Sequence, residues 1–237
     1  MTRRRQPRPL SRSSRTVDEI LSELRLAADP ERVTSLKRAG AASPALGLGL
    51  PGLRALAKRI GRDHRLALAL WQTPVRETRI LASLIDEPER VTGAQMDRWA
   101  GSFDSWEICD QVCQNLFAHT PLAFPKALEW MGRSEEFVKR AAFVLIAVRA
   151  VHDERTDDRA FADLIPTVLA AADDDRPYVR KGASWALRQI GKRSDVLRAR
   201  VVDTVTPGIE SDSRGVRWVA RDVTRELVEP GPPQPPG

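Results

Sequence analysis

One phrase recurs along this chain: a hydrophobic residue, a basic residue, then small and apolar positions at helical spacing. It reads Val75-Arg76-Glu77-Thr78-Arg79, Val138-Lys139-Arg140-Ala141-Ala142, Val179-Arg180-Lys181-Gly182-Ala183 and Val216-Arg217-Trp218-Val219-Ala220. A degenerate copy, Ser105-Trp106-Glu107-Ile108-Cys109, fills the gap between the first two. A repeat of roughly 40 residues restricts the fold severely, because no single unit can bury its own apolar face and neighbours must stack.

From Thr16 onward the pattern is helical, and strand-like alternation bounded by turn residues is absent. The expected helices are roughly 16–28, 31–39, 51–61, 63–72, 75–86, 92–100, 104–119, 121–132, 135–151, 158–172, 176–191, 195–206 and 213–228. Ser134 before two glutamates, Thr156 before two aspartates, and Asp175 before Pro177 read as helix starts. Gly191 followed by Lys192 and Arg193 reads as a stop. The fold expected is all-α: a right-handed α-solenoid of HEAT-like helix pairs in which one helix of each pair lines a concave surface. The repeated basic residues Arg76, Lys139, Arg180, Lys181, Arg188 and Arg217 would then form a positive stripe along it, or else decorate solvated helix ends.

The formal net charge of +6 comes from one segment. Residues 1–15 hold Arg3, Arg4, Arg5, Arg8, Arg12 and Arg15 with no acid, which leaves the remainder neutral. Bulk charge therefore does not establish nucleic-acid binding; only a local face could. The Arg-, Ser- and Pro-rich composition predicts a disordered leader over 1–15, one repeat domain over 16–229, and a disordered Pro/Gly tail over 230–237. The longest apolar run, Ala141 to Val148, is far short of the ~18 residues a membrane span needs, and no apolar segment follows the basic N-terminus as a secretory signal requires. Cys109 and Cys113 sit four apart and suit small buried thiols in a reducing cytoplasm. Neither they nor the scattered His64, His119 and His152 supply a metal site.

Trp106 and Asp110 are four apart on the helix expected over 104–119 and share one face. Arg140 opens the corresponding helix of the next unit, and Trp185 lies one unit further. Stacking predicts a cleft with two indoles, one carboxylate and one guanidinium. Such a cleft suits a purine alkylated at N3 or N7, which is cationic and departs without protonation by a general acid. One carboxylate near the deoxyribose could stabilise developing oxocarbenium charge and orient a water, where ordinary glycoside hydrolysis uses two. The indoles would attract a cation or pack on sugars, and the guanidinium would hold a phosphate. The same residues fit a bland arrangement equally well: tryptophans in the core and an Asp110–Arg140 ion pair between repeats.

Over residues 40–228 the chain resembles the HEAT-like-repeat DNA glycosylases of the AlkD type, the DNA alkylation repair enzymes. The marks are Leu48-Gly49-Leu50-Pro51-Gly52-Leu53-Arg54-Ala55-Leu56-Ala57-Lys58, Leu70-Trp71 leading to Glu77-Thr78-Arg79, Ser105-Trp106-Glu107-Ile108-Cys109-Asp110, Arg140-Ala141-Ala142 and Ser184-Trp185-Ala186-Leu187-Arg188. The resemblance implies excision of N3-alkyladenine and N7-alkylguanine from duplex DNA across a concave DNA-binding face, without a base-flipping pocket. Asp110 matches the catalytic carboxylate, Trp106 and Trp185 the aromatics that contact backbone and sugar, and Arg140 the phosphate-contacting arginine. Ala39-Gly40-Ala41-Ala42-Ser43-Pro44 departs from the aromatic and basic residues often found there. No metal or organic cofactor is implied, and the expected protein is a cytoplasmic monomer acting on duplex DNA that contains alkylated bases. Strand cleavage would need an amine nucleophile, for which Lys139 and Lys181 are the nearest of six lysines; a monofunctional enzyme is expected. The alternatives are a protein that binds bent or damaged DNA without excision, and a protein-binding scaffold.

Overall fold

The computed structural model describes residues 15–38 and 42–228. The expected leader, apart from Arg15, and the expected tail lie outside the described residues, as do 39–41 and Glu229. Arg15 pairs with Glu23.

Among the described residues the chain forms thirteen α-helices, three short 3-10 turns and no strand. In order they are α1 (Val17–Leu26), α2 (Pro30–Arg38), α3 (Leu50–Ile60), α4 (His64–Trp71), α5 (Arg76–Ile85), α6 (Gly93–Ala100) and α7 (Trp106–Asn115). Then come α8 (Ala123–Met131), α9 (Glu136–His152), α10 (Asp158–Ala171), α11 (Pro177–Arg193), α12 (Asp195–Val205) and α13 (Arg214–Val228). None is long and apolar enough to cross a membrane.

The odd-numbered helices from α3 to α13 pack successively on one another, α3 on α5, α5 on α7, and so to α11 on α13. Even-numbered α4, α8, α10 and α12 back this row. The arrangement explains why α9 reads as apolar all round. It is gripped by α7, α8 and α11, and Ala141 through Val148 are all buried. A second continuous seam is aromatic. Trp71, at the end of α4, stacks on Trp99, at the end of α6, with ring centroids 4.0 Å apart. Trp99 then meets Phe117, and Phe117 meets Trp130 of α8. Three of the six tryptophans are therefore core.

Several expected helix ends move by a residue or more, for identifiable reasons. The cap of α10 is Asp157, not Thr156; its carboxylate accepts from the Arg159 N–H at 2.8 Å. Arg176 rather than Asp175 precedes α11, while Asp174 accepts from the Arg176 N–H at 3.0 Å. Ser134 does not cap α9; Glu135 occupies that position without a capping bond, and the Ser134 hydroxyl meets the Glu135 carboxylate. Helix α7 stops at Asn115, and Phe117–His119 form a separate 3-10 turn. Gly191 is not a stop, since α11 runs through it to Arg193. The small residue instead admits Leu227 of α13, whose Cδ1 lies 2.5 Å from where a Cβ would be. Ser194 ends the helix and caps α12 through the Leu197 N–H.

Gly215 serves a similar close approach at the start of α13. A Cβ there would fall 2.3 Å from the Ala172 carbonyl oxygen and 2.9 Å from that of Asp174. Because the obstacle is backbone, Gly215→Ala must displace the N-terminus of α13. We expect it to destabilise the protein by about 1–3 kcal/mol in equilibrium denaturation. A wild-type midpoint in that variant would show that the close approach is not maintained in solution.

Candidate nucleic-acid interface

Helix α7 starts at Ser105, whose hydroxyl accepts from the Ile108 N–H at 3.4 Å, and this cap fixes where Trp106 and Asp110 emerge. The two side chains lie one turn apart on the same face. Asp110 meets Arg140 of α9 in a bidentate pair, Nε to Oδ1 and Nη2 to Oδ2, both 2.8 Å. The third arm of the guanidinium, Nη1, donates to the Tyr178 carbonyl of α11 at 2.8 Å. One arginine thus ties three successive helices of the row. Asp110 and Arg140 are only 8% and 7% exposed. Burial pushes the Asp110 carboxyl above its ordinary value, Arg140 pulls it back in part, and the charge of Glu107 adds to the rise.

The pair is buried at the floor of an open groove of about 560 Å³. Its walls are Lys181, Trp185 and Arg188 of α11 with Trp218 and Asp222 of α13. The structure thus brings together Asp110, Arg140 and Trp185, as the sequence predicts. Trp106 is not in this lining; it stands one turn before Asp110 and is 38% exposed. Lys181 is exposed, whereas Arg188 is drawn toward α13 by Glu226 and Asp222.

The expected stripe of basic residues is corrected at several positions. Arg76 is 1% exposed and faces inward. It binds Glu107 through Nε and Nη2 at 2.7 and 2.5 Å, and donates from Nη1 to Glu77 and the Leu48 carbonyl. Glu77 in turn accepts from the Leu46 and Gly47 N–H groups at 2.9 Å. Arg76 is therefore a buried pin that fastens the segment before α3 to α5 and α7, and it offers nothing to a ligand. Lys139 is held by Asp174 at 3.1 Å. The Arg176 side chain, burial notwithstanding, and Lys139 hold that carboxyl well below its usual range. Arg180 lies over the Trp218 ring, 5.3 Å from its centroid. Arg217 donates to the carbonyls of Ser211 and Asp212. The recurring basic position mainly staples one repeat to the next.

Trp218 and Asp222 were absent from the expected site, although their Trp-x-x-x-Asp spacing copies that of Trp106 and Asp110. This echo was the available signal. Asp222 accepts from the Ser184 hydroxyl at 2.6 Å and the Arg225 guanidinium at 2.5 Å. Among the described residues no group of three His, Cys, Asp or Glu side chains is placed to hold a metal. Cys109 and Cys113 are buried against α9, their thiols directed at the Phe137 and Ala141 carbonyls.

The sequence profile of the DNA alkylation repair enzymes matches residues 20–222, which run from α1 into α13 and include every residue lining the groove. The chain belongs to the DNA alkylation repair enzyme family. A solved structure with the same fold superimposes with a TM-score of 0.74 over 90% of this chain and 96% of the other, at 16% identity. It is described as one of a new family of proteins related to the HEAT-like repeat DNA glycosylases with affinity for branched DNA structures. No protein of curated function matches the chain. Within this family fold the Asp110–Arg140 pair has a measurable structural share. Asp110→Ala leaves a buried guanidinium without its counter-charge and should cost about 3–5 kcal/mol. Replacing both, as Asp110→Leu with Arg140→Met, should cost clearly less. An equal or larger loss in the double variant, read by thermal denaturation, would mean that the stranded guanidinium is not what costs stability.

Proposed function

We propose that this protein is a monofunctional DNA glycosylase that hydrolyses the N-glycosidic bond of cationic N3-alkyladenine and N7-alkylguanine in duplex DNA. On this reading it acts as a cytoplasmic monomer with no metal or organic cofactor. The observation that carries the reading is the convergence of Asp110, Arg140 and Trp185 on one groove, in a member of a DNA alkylation repair family.

The pairing shapes the mechanism. Asp110 and Arg140 together are neutral, so the carboxylate stabilises a cationic sugar poorly while the guanidinium covers both its oxygens. A DNA phosphate entering the groove competes for that guanidinium, which binds phosphate bidentately as readily as carboxylate. Drawn toward the phosphate, Arg140 uncovers the Asp110 charge where the deoxyribose arrives. The carboxylate then stabilises the oxocarbenium ion and accepts a hydrogen bond from the attacking water, which attacks C1′ as the glycosidic bond breaks. The departing base takes the bonding electrons and leaves neutral, and the water's proton passes to solvent. Trp185, and Trp106 from the neighbouring turn, pack on sugar and backbone. Asp110 therefore switches on only where DNA is bound.

Asp110→Asn is expected to slow single-turnover release of 7-methylguanine from methylated duplex by ~10²-fold or more while DNA binding persists. Unchanged release would remove Asp110 from the chemistry. The active form is the carboxylate and burial raises its pKa. In kcat/KM the rate should therefore rise with pH through a value above that of an ordinary aspartate, and the limb should vanish in Asp110→Asn. A limb at the ordinary aspartate position would contradict this.

A second reading, DNA binding without excision, is favoured by one observation: Arg140 engages both Asp110 oxygens. The affinity of the structural neighbour for branched DNA is in keeping with it. Absence of base release by the wild-type protein, with salt-sensitive DNA binding retained, would select that reading.

A further inference from the structure

The last helix of the row has two unlike faces. Val219, Ala220, Val223 and Leu227 of α13 are buried against the repeats. The other side carries Arg214, Arg217, Arg221 and Arg225, at spacings of three, four and four that place them along one helix face. These four residues, with Trp218 and Asp222, line a second open groove of about 440 Å³ beside α13. Trp218 and Asp222 also line the groove over Asp110 and Arg140, so the two grooves adjoin.

Most of this charge is not spent on folding. Among the described residues Arg214 and Arg221 enter no ion pair and donate no side-chain hydrogen bond, and both are exposed. Arg217 is held by neutral carbonyls and keeps its charge. Arg225 touches Asp222 alone with its side chain 73% exposed. Glu226, the neighbouring acid, is occupied by Arg188 and Lys192. The result is a wall of four guanidinium groups against one carboxylate, with the Trp218 indole shared with the wall of the first groove. At 1.5 Å per residue the stripe is about 16 Å long, which matches several phosphates of one strand at ~3.4 Å of axial spacing.

We propose that the arginine face of α13 is a track for the phosphodiester backbone of the duplex flanking the groove. The strand passes Trp185 and Trp218 and runs along α13, its phosphates held by Arg214, Arg217, Arg221 and Arg225. Positive side chains alternating with an aromatic surface suit a nucleic-acid backbone, since they bind charge and sugar without reading sequence. The proposal rests on the DNA reading above and extends it to residues outside the Asp110 cluster.

The test is the salt dependence of binding to a short, undamaged, fluorescein-labelled duplex, followed by anisotropy between about 50 and 200 mM salt. The full chain is compared with Arg214→Gln/Arg221→Gln and with Arg155→Gln/Arg159→Gln, which removes the same charge from exposed positions away from both grooves. The α13 variant should bind more weakly, with the slope of log K against log salt flattened by about 1.8, two phosphate contacts at ~0.9 each. The control variant should keep the wild-type slope, and both should keep the wild-type melting temperature. An unchanged slope in the α13 variant, or the same flattening in both variants, overturns the proposal. Base release from methylated duplex, measured on the same proteins, separates the two readings. A wild type that shows the α13 signature yet frees no 7-methylguanine removes the glycosylase reading and leaves the track. Release by a wild type whose slope is insensitive to the α13 change does the opposite.

Discussion

The bidentate contact between Asp110 and Arg140 is the constraint on which the groove-bearing half of this molecule depends. It joins α7 to α9, and the remaining arm of Arg140 reaches α11 through the Tyr178 carbonyl. Three helices of the row are thereby set in register at the point where the groove opens. The bond also settles the electrostatics of the groove floor. A lone buried carboxylate would be driven toward its neutral acid, and a lone buried guanidinium would be strongly unfavourable. Together they form a neutral unit in which each charge offsets the burial cost of the other.

The tryptophans divide along the same line. Trp71, Trp99 and Trp130 are buried in the aromatic seam on the even-numbered helices. Trp106, Trp185 and Trp218 lie on α7, α11 and α13 and keep part of their rings at the surface. The seam holds the backing helices together by burial and ring packing. The other three are spaced along the row that carries the groove. Fully buried and part-exposed tryptophans thus belong to different helices.

Basic residues show a parallel division. Arg76 and Arg140 are interhelix staples, Lys139 answers Asp174, and Arg188 and Lys192 answer Glu226. Exposed arginines line one face of α13. A repeat protein can do this because each helix of the row meets only its neighbours. On α13, Arg214 and Arg221 meet no acid among the described residues and stay exposed.

Much of this was legible in the chain itself. The recurring phrase fixed the all-helical stacked architecture, the thirteen helices fall close to their expected spans, and the i, i+4 spacing put Trp106 and Asp110 on one face, because these depend on local periodicity and burial alone. The sequence could not say whether a basic residue at the head of a helix points to solvent or to the next repeat. Arg76 and Arg217 occupy the same place in the phrase, yet one is a buried pin and the other lies beside an open groove. Gly191 likewise reads as a helix stop until Leu227 is seen pressing against it. Those outcomes depend on which acid or side chain the neighbouring helix presents across the interface. That is a property of the stack and not of any one segment, so only the tertiary structure decided which charges were bound in pairs and which remained exposed.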